Sequence, residues 1–445
     1  MKKIPIVEIC LIILGALLYF AANLQRVAVP GAMFDLLQAD LHASAQSIAS
    51  LGASFMYVYA LSQLVIGILI TRYGGFRVVT CGAVLFFIGC VMFPFVHSLP
   101  LLYFSRTLIG AGSASFYLGM INETRRLVPK KNFGVILSVI LLIGYIGGII
   151  ANAPLVICIN SMGWRETFVI TAIVCTIISI LFIILNNFSS HQEVDKSVHM
   201  NFDLYRETLK NSKNINLYSF ACINYGLYYV LQTVIGKKFL EDFCQMSDIN
   251  AAMILSIMSA LYAIAGSVLA IASKAALNRR TIFLRISAIN TLFVFSVIFV
   301  CLLLDIRAQF IGFLFCTVSF LASLSPLLVP LLHDINGSKV ANTAVSVMTC
   351  GFYISVGLLG NIVGFFLDIF KPLNEQLNYL AINSSYIAIF GLAVILSIYS
   401  FVNVFKIEES KKTKRLIEHL EYIKHKEDDE AKWHDEYEHD IYTNI

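Results

Sequence analysis

The chain has 445 residues, of which 58% are apolar and 13% charged, and its mean hydropathy is +0.78. A water-soluble globule carries roughly a quarter of its residues as charges, so this composition excludes one and makes lipid the solvent. The net charge of +4, from 32 Lys and Arg against 28 Asp and Glu, is too small to point to nucleic acid as a partner.

The apolar run that follows Lys2 and Lys3 is too long for a signal-peptide core and offers no small-residue cleavage site before Arg26, so a retained helix is expected there. At about 20 apolar residues per crossing, six spans fall at 5–36, 46–71, 78–97, 101–124, 133–159 and 166–187. Six more fall at 215–238, 250–272, 281–304, 308–332, 340–368 and 377–405. The organisation expected is an all-α membrane protein with a six-helix bundle over 1–187, a polar linker over 188–214, a second six-helix bundle over 215–405 and a charged tail over 406–445.

The tail holds 8 basic and 12 acidic residues, so it is solvated. Its His419, His425, His434 and His439 are too widely spaced among charges to suggest a metal site, while Leu416, Ile417, Leu420 and Ile423 form an apolar stripe at helical spacing. The ten cysteines contain no CxxC pair and lie nearly all inside apolar stretches. They read as small hydrophobes, and neither metal nor cofactor is expected.

Basic residues in short loops set orientation. Fifteen Lys and Arg, Arg72, Arg77, Arg125 and Arg126 among them, fall on the side of the N-terminus, against five on the other: Arg165, Lys237, Lys238, Arg307 and Lys371. A cell inner membrane with both termini cytoplasmic is the expectation. The loops after the second span of each half also echo one another, GILITRYGGFR at 67–77 and GSVLAIASKAALNRR at 266–280. Duplicated six-helix units are a mark of secondary transporters.

Arg26 stands out on physical grounds. At about 1.5 Å per residue it lies roughly 14 Å from Asp35 and 35 Å from Lys3, deep in the apolar layer if the helix runs on through Pro30. An unpaired guanidinium there costs at least about 2.5 to 3.5 kcal/mol, yet Glu8, Glu123 and Asp35 all lie towards span ends and no Asp or Glu sits mid-span. Arg26 and Arg106 are the conspicuous intramembrane charges, and both are positive.

GILITRYGGFR resembles the signature loop of the major facilitator superfamily, with Gly67, Arg72, Gly74 and Arg77 in the motif positions and Thr71 where that family usually has Asp. Arg106, Gly110 and Gly112 resemble its RxxxGxG element, and Gly147-Gly148, Pro154 and Gly163-Trp164-Arg165 continue the likeness. Within the superfamily, Arg26 followed at Phe55 by FxxxYxxxQ, with Tyr59 and Gln63, is similar to the anion:cation symporter and sugar-phosphate permease branches. The resemblance implies twelve transmembrane helices in two pseudo-symmetric six-helix halves, with spans one, four, seven and ten around a central cavity.

The substrate-binding candidates that follow are Arg26, Arg106, Tyr57, Tyr59, Gln63, Tyr117, Asn152, Asn224, Tyr228 and Gln232, with Gly67, Arg72, Gly74 and Arg77 as the gating motif. Asn23, Tyr145, Tyr225 and Tyr229 are further polar or aromatic positions on the same spans. Arg26 is the preferred anchor, because a guanidinium binds carboxylate or phosphate bidentately; the alternative for Arg106 is that it pins helix ends by donating to backbone carbonyls. No nucleophile elbow, phosphate loop or HExxH occurs, so no enzyme is expected. The expectation is a monomeric secondary transporter in the lipid bilayer, working by alternating access on a small anionic or polar organic metabolite, with proton symport or anion exchange. Siderophore or drug export, or ligand sensing through the tail, are the alternatives.

Overall fold

The computed structural model describes residues 5–189, 202–277, 279–370, 378–409 and 413. Lys196 and Lys371 of the charge pattern, and the tail histidines and apolar stripe, lie outside the described residues. Among the described residues every regular element is helical. The first half comprises α1 (Ile6–Ala28), α2 (Ala45–Tyr73), α3 (Gly75–Phe95), α4 (Leu99–Leu127), α5 (Lys130–Ile150, continued by Ala153–Met162) and α6 (Trp164–Asn186). The second comprises α7 (Ser212–Val230, continued through Leu231–Ile235 and Gly236–Asp242), α8 (Asp248–Ala275), α9 (Arg280–Leu303), α10 (Ile311–Gly337), α11 (Val340–Ile369) and α12 (Asn378–Val404). A short helix, Phe202–Lys210, precedes α7.

Ten of these helices are long and apolar enough to cross a membrane. The two that fall short of that measure are α4 and α7, which spend apolar positions on Ser, Arg, Asn and Tyr. Twelve crossings result, as the apolar runs predict.

The first span is shorter than expected. Pro30 lacks an amide hydrogen and forces the residue before it out of the helical region; Val29 is accordingly extended at φ −115°, ψ 123°, and α1 stops at Ala28. Arg26 therefore lies in the last turn of α1, and a separate short helix, Phe34–Asp40, leads out to α2. The expected run of one helix from 5 to 36 is corrected on this point.

Glycine sets the two tightest reversals. Gly74 at φ 90° and Gly163 at φ 93° join α2 to α3 and α5 to α6 in one residue each, a conformation that side chains with a Cβ rarely adopt. Gly74 thus has a conformational role within the signature loop. Close helix approach accounts for Gly82 and Gly112: a Cβ on Gly82 would sit 2.6 Å from the Gly112 carbonyl oxygen, so α3 and α4 touch backbone to backbone.

The halves are sealed together at one end. Asn361 of α11 accepts from Ser50 at 2.9 Å and donates to the Tyr57 hydroxyl at 2.9 Å, both on α2. Asp368 reaches the start of α2, Asn160 donates to Asp248 at 2.6 Å, and Lys238 pairs with Asp35 at 2.7 Å. At the opposite end, which carries Arg72 and Arg125, α2 and α11 part. The Tyr205 hydroxyl of the short helix before α7 donates to the Leu64 carbonyl there at 3.0 Å, and a Cβ added to Gly67 would meet nothing within 4 Å.

Candidate functional site

Between the halves lies a cavity of about 560 Å³. Its deep wall carries Arg26, Tyr59, Gln63 and Gln232, while Arg125, His333 and Asn342 stand at the splayed end. The cavity thus opens at one face of the bundle and is stopped at the other by the seam of α2 against α11.

Arg26 is 8% exposed, and its surroundings explain how lipid-level burial is tolerated. One terminal nitrogen donates to the Tyr353 hydroxyl of α11 at 2.9 Å, and the other donates to the Asn23 side-chain oxygen one turn back on α1. The guanidinium carbon also sits 5.4 Å from the centre of the Tyr229 ring and 5.7 Å from that of Tyr353, within the range of cation–π attraction. Neutral acceptors and ring faces thus do what a carboxylate would do elsewhere. Among the described residues no Asp or Glu lines the cavity, so the charge of Arg26 is solvated without being cancelled.

Two helix irregularities shape this wall. The π-turn Leu231–Ile235 in α7 carries Gln232, whose amide donates to the Leu255 carbonyl at 3.1 Å while its oxygen is buried without a partner. Such turns recur at functional sites, because the extra residue re-aims side chains. In α5 the break falls at Asn152, whose amide caps Gly148 at 2.8 Å and also meets Ser259 of α8 at 3.3 Å.

Six of the ten expected binding residues therefore line one cavity: Arg26, Tyr59, Gln63, Tyr117, Tyr228 and Gln232. Four are placed elsewhere. Tyr57 lies in the α2–α11 seam, and Asn152 holds the α5 break against α8. Asn224 is tied inside the second half by Phe220, Ser400 and Thr291. Arg106 is fully buried within the first half, donating to the Gln25 carbonyl at 2.9 Å and the Val29 carbonyl at 3.4 Å over the ring of Phe55. Its geometry is that of a pin on the end of α1.

The signature loop lies at the splayed end. Arg72 packs over Tyr73, Arg77 is exposed, and Thr71 bonds back to the Gly67 carbonyl at 3.0 Å within its own helix. The acidic role beside this loop falls to Glu123 of α4, which accepts from the Phe76 amide at 3.1 Å and pairs with Arg126 at 2.7 Å. Tyr19, Tyr262 and Tyr353 complete the wall without having been singled out in the sequence. The signal that could have found Tyr353 is the need of Arg26 for a neutral acceptor from the second half.

The family model for the Major Facilitator Superfamily matches residues 11–360. Among curated proteins, the chain is 21% identical over 154 residues to the probable sulfoacetate transporter SauU of Cupriavidus necator, covering 35% of this chain and 36% of that one. It is 25% identical over 152 residues to the probable anion transporter 1, chloroplastic, of rice, covering 34% and 28%. The chain thus spans about a third of the length of these relatives. Among solved structures, a bacterial homologue of the human lysosomal transporter Spinster, inward-facing and unoccupied, superposes with a TM-score of 0.69 at 15% identity, covering 91% of this chain and 99% of that one. At that identity the likeness speaks for the fold.

Proposed function

Because the chain belongs to the major facilitator superfamily and is a transporter rather than an enzyme, we propose that it moves a small anionic organic metabolite across the cell inner membrane by alternating access, with Arg26 as the anchor. The observation that carries this is the Arg26 guanidinium, buried at the cavity wall among neutral partners, with no carboxylate among the described residues of the wall. An anionic group completes such a site, and a substrate carboxylate or sulfonate accepts from a guanidinium in parallel pairs. The two relatives, a probable sulfoacetate transporter and a probable anion transporter, support the same charge.

The excess of basic residues in the loops of the splayed end supports a cytoplasmic position for it, which makes this conformation inward-facing and α2 against α11 the outer gate. Tyr59, Gln63, Tyr117, Tyr228 and Gln232 are the further substrate contacts. Among the described residues the cavity wall holds no carboxylate, which supports anion exchange as readily as proton symport, since exchange needs no proton carrier. A single chain holds the whole cavity, which supports a monomer as the working unit.

Uptake of labelled sulfoacetate and related organic anions into proteoliposomes tests the proposal. Uptake is expected, with loss of at least tenfold in Arg26→Ala. An Arg26→Ala protein that transports the anion with unchanged affinity and rate would overturn the anchor. Trans-stimulation by internal anion, compared with an imposed pH gradient, separates exchange from symport.

A further inference from the structure

Aromatic rings form a continuous band around the anchor. Tyr145 meets Tyr262 with centroids 6.1 Å apart, Tyr262 stacks on Tyr228 at 4.8 Å and 3°, and Tyr228 meets Tyr229 at 5.7 Å. Across the cavity in the other half, Tyr19 of α1 stacks on Tyr117 of α4 at 5.3 Å and 23°. All of these rings line the cavity.

Tyrosine so concentrated has a chemical meaning beyond charge. A ring face binds another flat conjugated surface, or a cation. Here the cation is already built in: Arg26 sits over Tyr229 and Tyr353, Arg125 stands at the mouth, and no Asp or Glu among the described residues lines the wall. A second, diffusing cation is repelled from such a site. A small aliphatic anion at Arg26 makes little use of such an aromatic wall.

We propose that the preferred cargo is an anion with a flat, conjugated body, an aryl carboxylate or sulfonate, held at its charge by Arg26 and on its faces by Tyr117 and Tyr262, the less buried rings of the Tyr19–Tyr117 and Tyr228–Tyr262 pairs from opposite halves. This rests on the reading of the chain as an anion carrier anchored by Arg26. Because the two stacked pairs belong to α1 and α4 on one side and to α7 and α8 on the other, a flat cargo touches both halves at once.

Benzoate and cyclohexanecarboxylate share charge and near-equal size and differ in the ring face, so they are the probes. Their binding to the purified full chain in detergent is measured by calorimetry, with acetate and benzyltrimethylammonium as further arms. Two ring contacts at ordinary strength make benzoate bind between about five- and a hundredfold tighter than cyclohexanecarboxylate. Tyr262→Leu is expected to erase most of that ratio and Tyr262→Phe to keep it.

Equal affinity of benzoate and cyclohexanecarboxylate in the unmodified protein overturns the inference without recourse to any variant. So does binding of benzyltrimethylammonium in place of benzoate. If both carboxylates and acetate bind alike and all depend on Arg26, the anion-carrier reading survives and the aromatic preference falls. If no organic anion binds at all, both fall together.

Discussion

Asp368, at the end of α11, caps the first turn of α2: its two carboxylate oxygens accept from the backbone amides of Ala45 at 2.8 Å and Gln46 at 2.9 Å. The four first amides of a helix have no partner of their own, and the helix dipole adds to their pull on an anion. Because the acceptor comes from one half and the amides from the other, the contact joins the halves at the closed end.

Asp368→Asn keeps the shape and removes the charge. Charge-assisted hydrogen bonds are worth about 1.5 to 3 kcal/mol, and an amide recovers part of that. The equilibrium is expected to shift by about 1 to 2 kcal/mol towards the state open at this end, read as spin-label distances between the ends of α2 and α11 that meet here. Gly364→Val is expected to act in the same direction, since a Cβ there would sit 2.7 Å from the Gln46 Cα.

Gly67 should behave oppositely. It faces open space at the splayed end of α2, so Gly67→Leu is expected to leave this conformation and its ligand affinity intact. Closing that end must then accommodate the added side chain, at about 1 to 3 kcal/mol of overpacking. The expected result is slowed transport with unchanged binding, and the same spin-label distances held near the values of the present conformation.

Tyr353 shares the Arg26 guanidinium with Asn23. Tyr353→Phe removes the acceptor and keeps the ring, so the anchor loses position but not its charge. About 1 kcal/mol is expected, an anion Kd higher by roughly fivefold, measured by calorimetry. Tyr353→Leu, which also removes the ring face 5.7 Å away, should weaken binding further.

Arg106 makes a contrasting case. Its donors serve the Gln25 and Val29 carbonyls at the end of α1, and losing them strands two buried acceptors. Arg106→Ala is expected to cost about 2 to 4 kcal/mol of stability, seen as a lower melting temperature in detergent, with anion affinity unchanged in the protein that folds. Arg106→Lys should rescue little, because a single ammonium lacks the planar fork that reaches both oxygens.

The twelve crossings were legible because length and hydropathy alone define a spanning helix, and even α4 and α7 read as spans once their neighbours were placed. The end of α1 was less so, since Pro30 had to be weighed against an apolar run that continues past it. Side-chain direction was the part least accessible. Tyr57 and Tyr59 look equivalent in sequence, yet two residues turn a helix by about 200°, and one faces the seam while the other faces the cavity. Asn152 and Asn224 have the polarity of binding residues and use it on backbone and on other helices. Tyr353 sits on a glycine-rich helix whose sequence advertises close packing, and only its distance to Arg26 reveals its other use.

The two crossings that fall short in hydropathy, α4 and α7, have a bearing on how the chain is made. A segment less apolar than its neighbours partitions into lipid less readily by itself and gains from entering beside a partner. Helix α4 is thereby suited to enter as a hairpin with α3, against whose glycines it packs, and α7 to enter together with α8. The residues that give the finished carrier its polar interior thus bear on its biogenesis, and a ribosome stalled between α7 and α8 is expected to leave α7 accessible to water-soluble reagents.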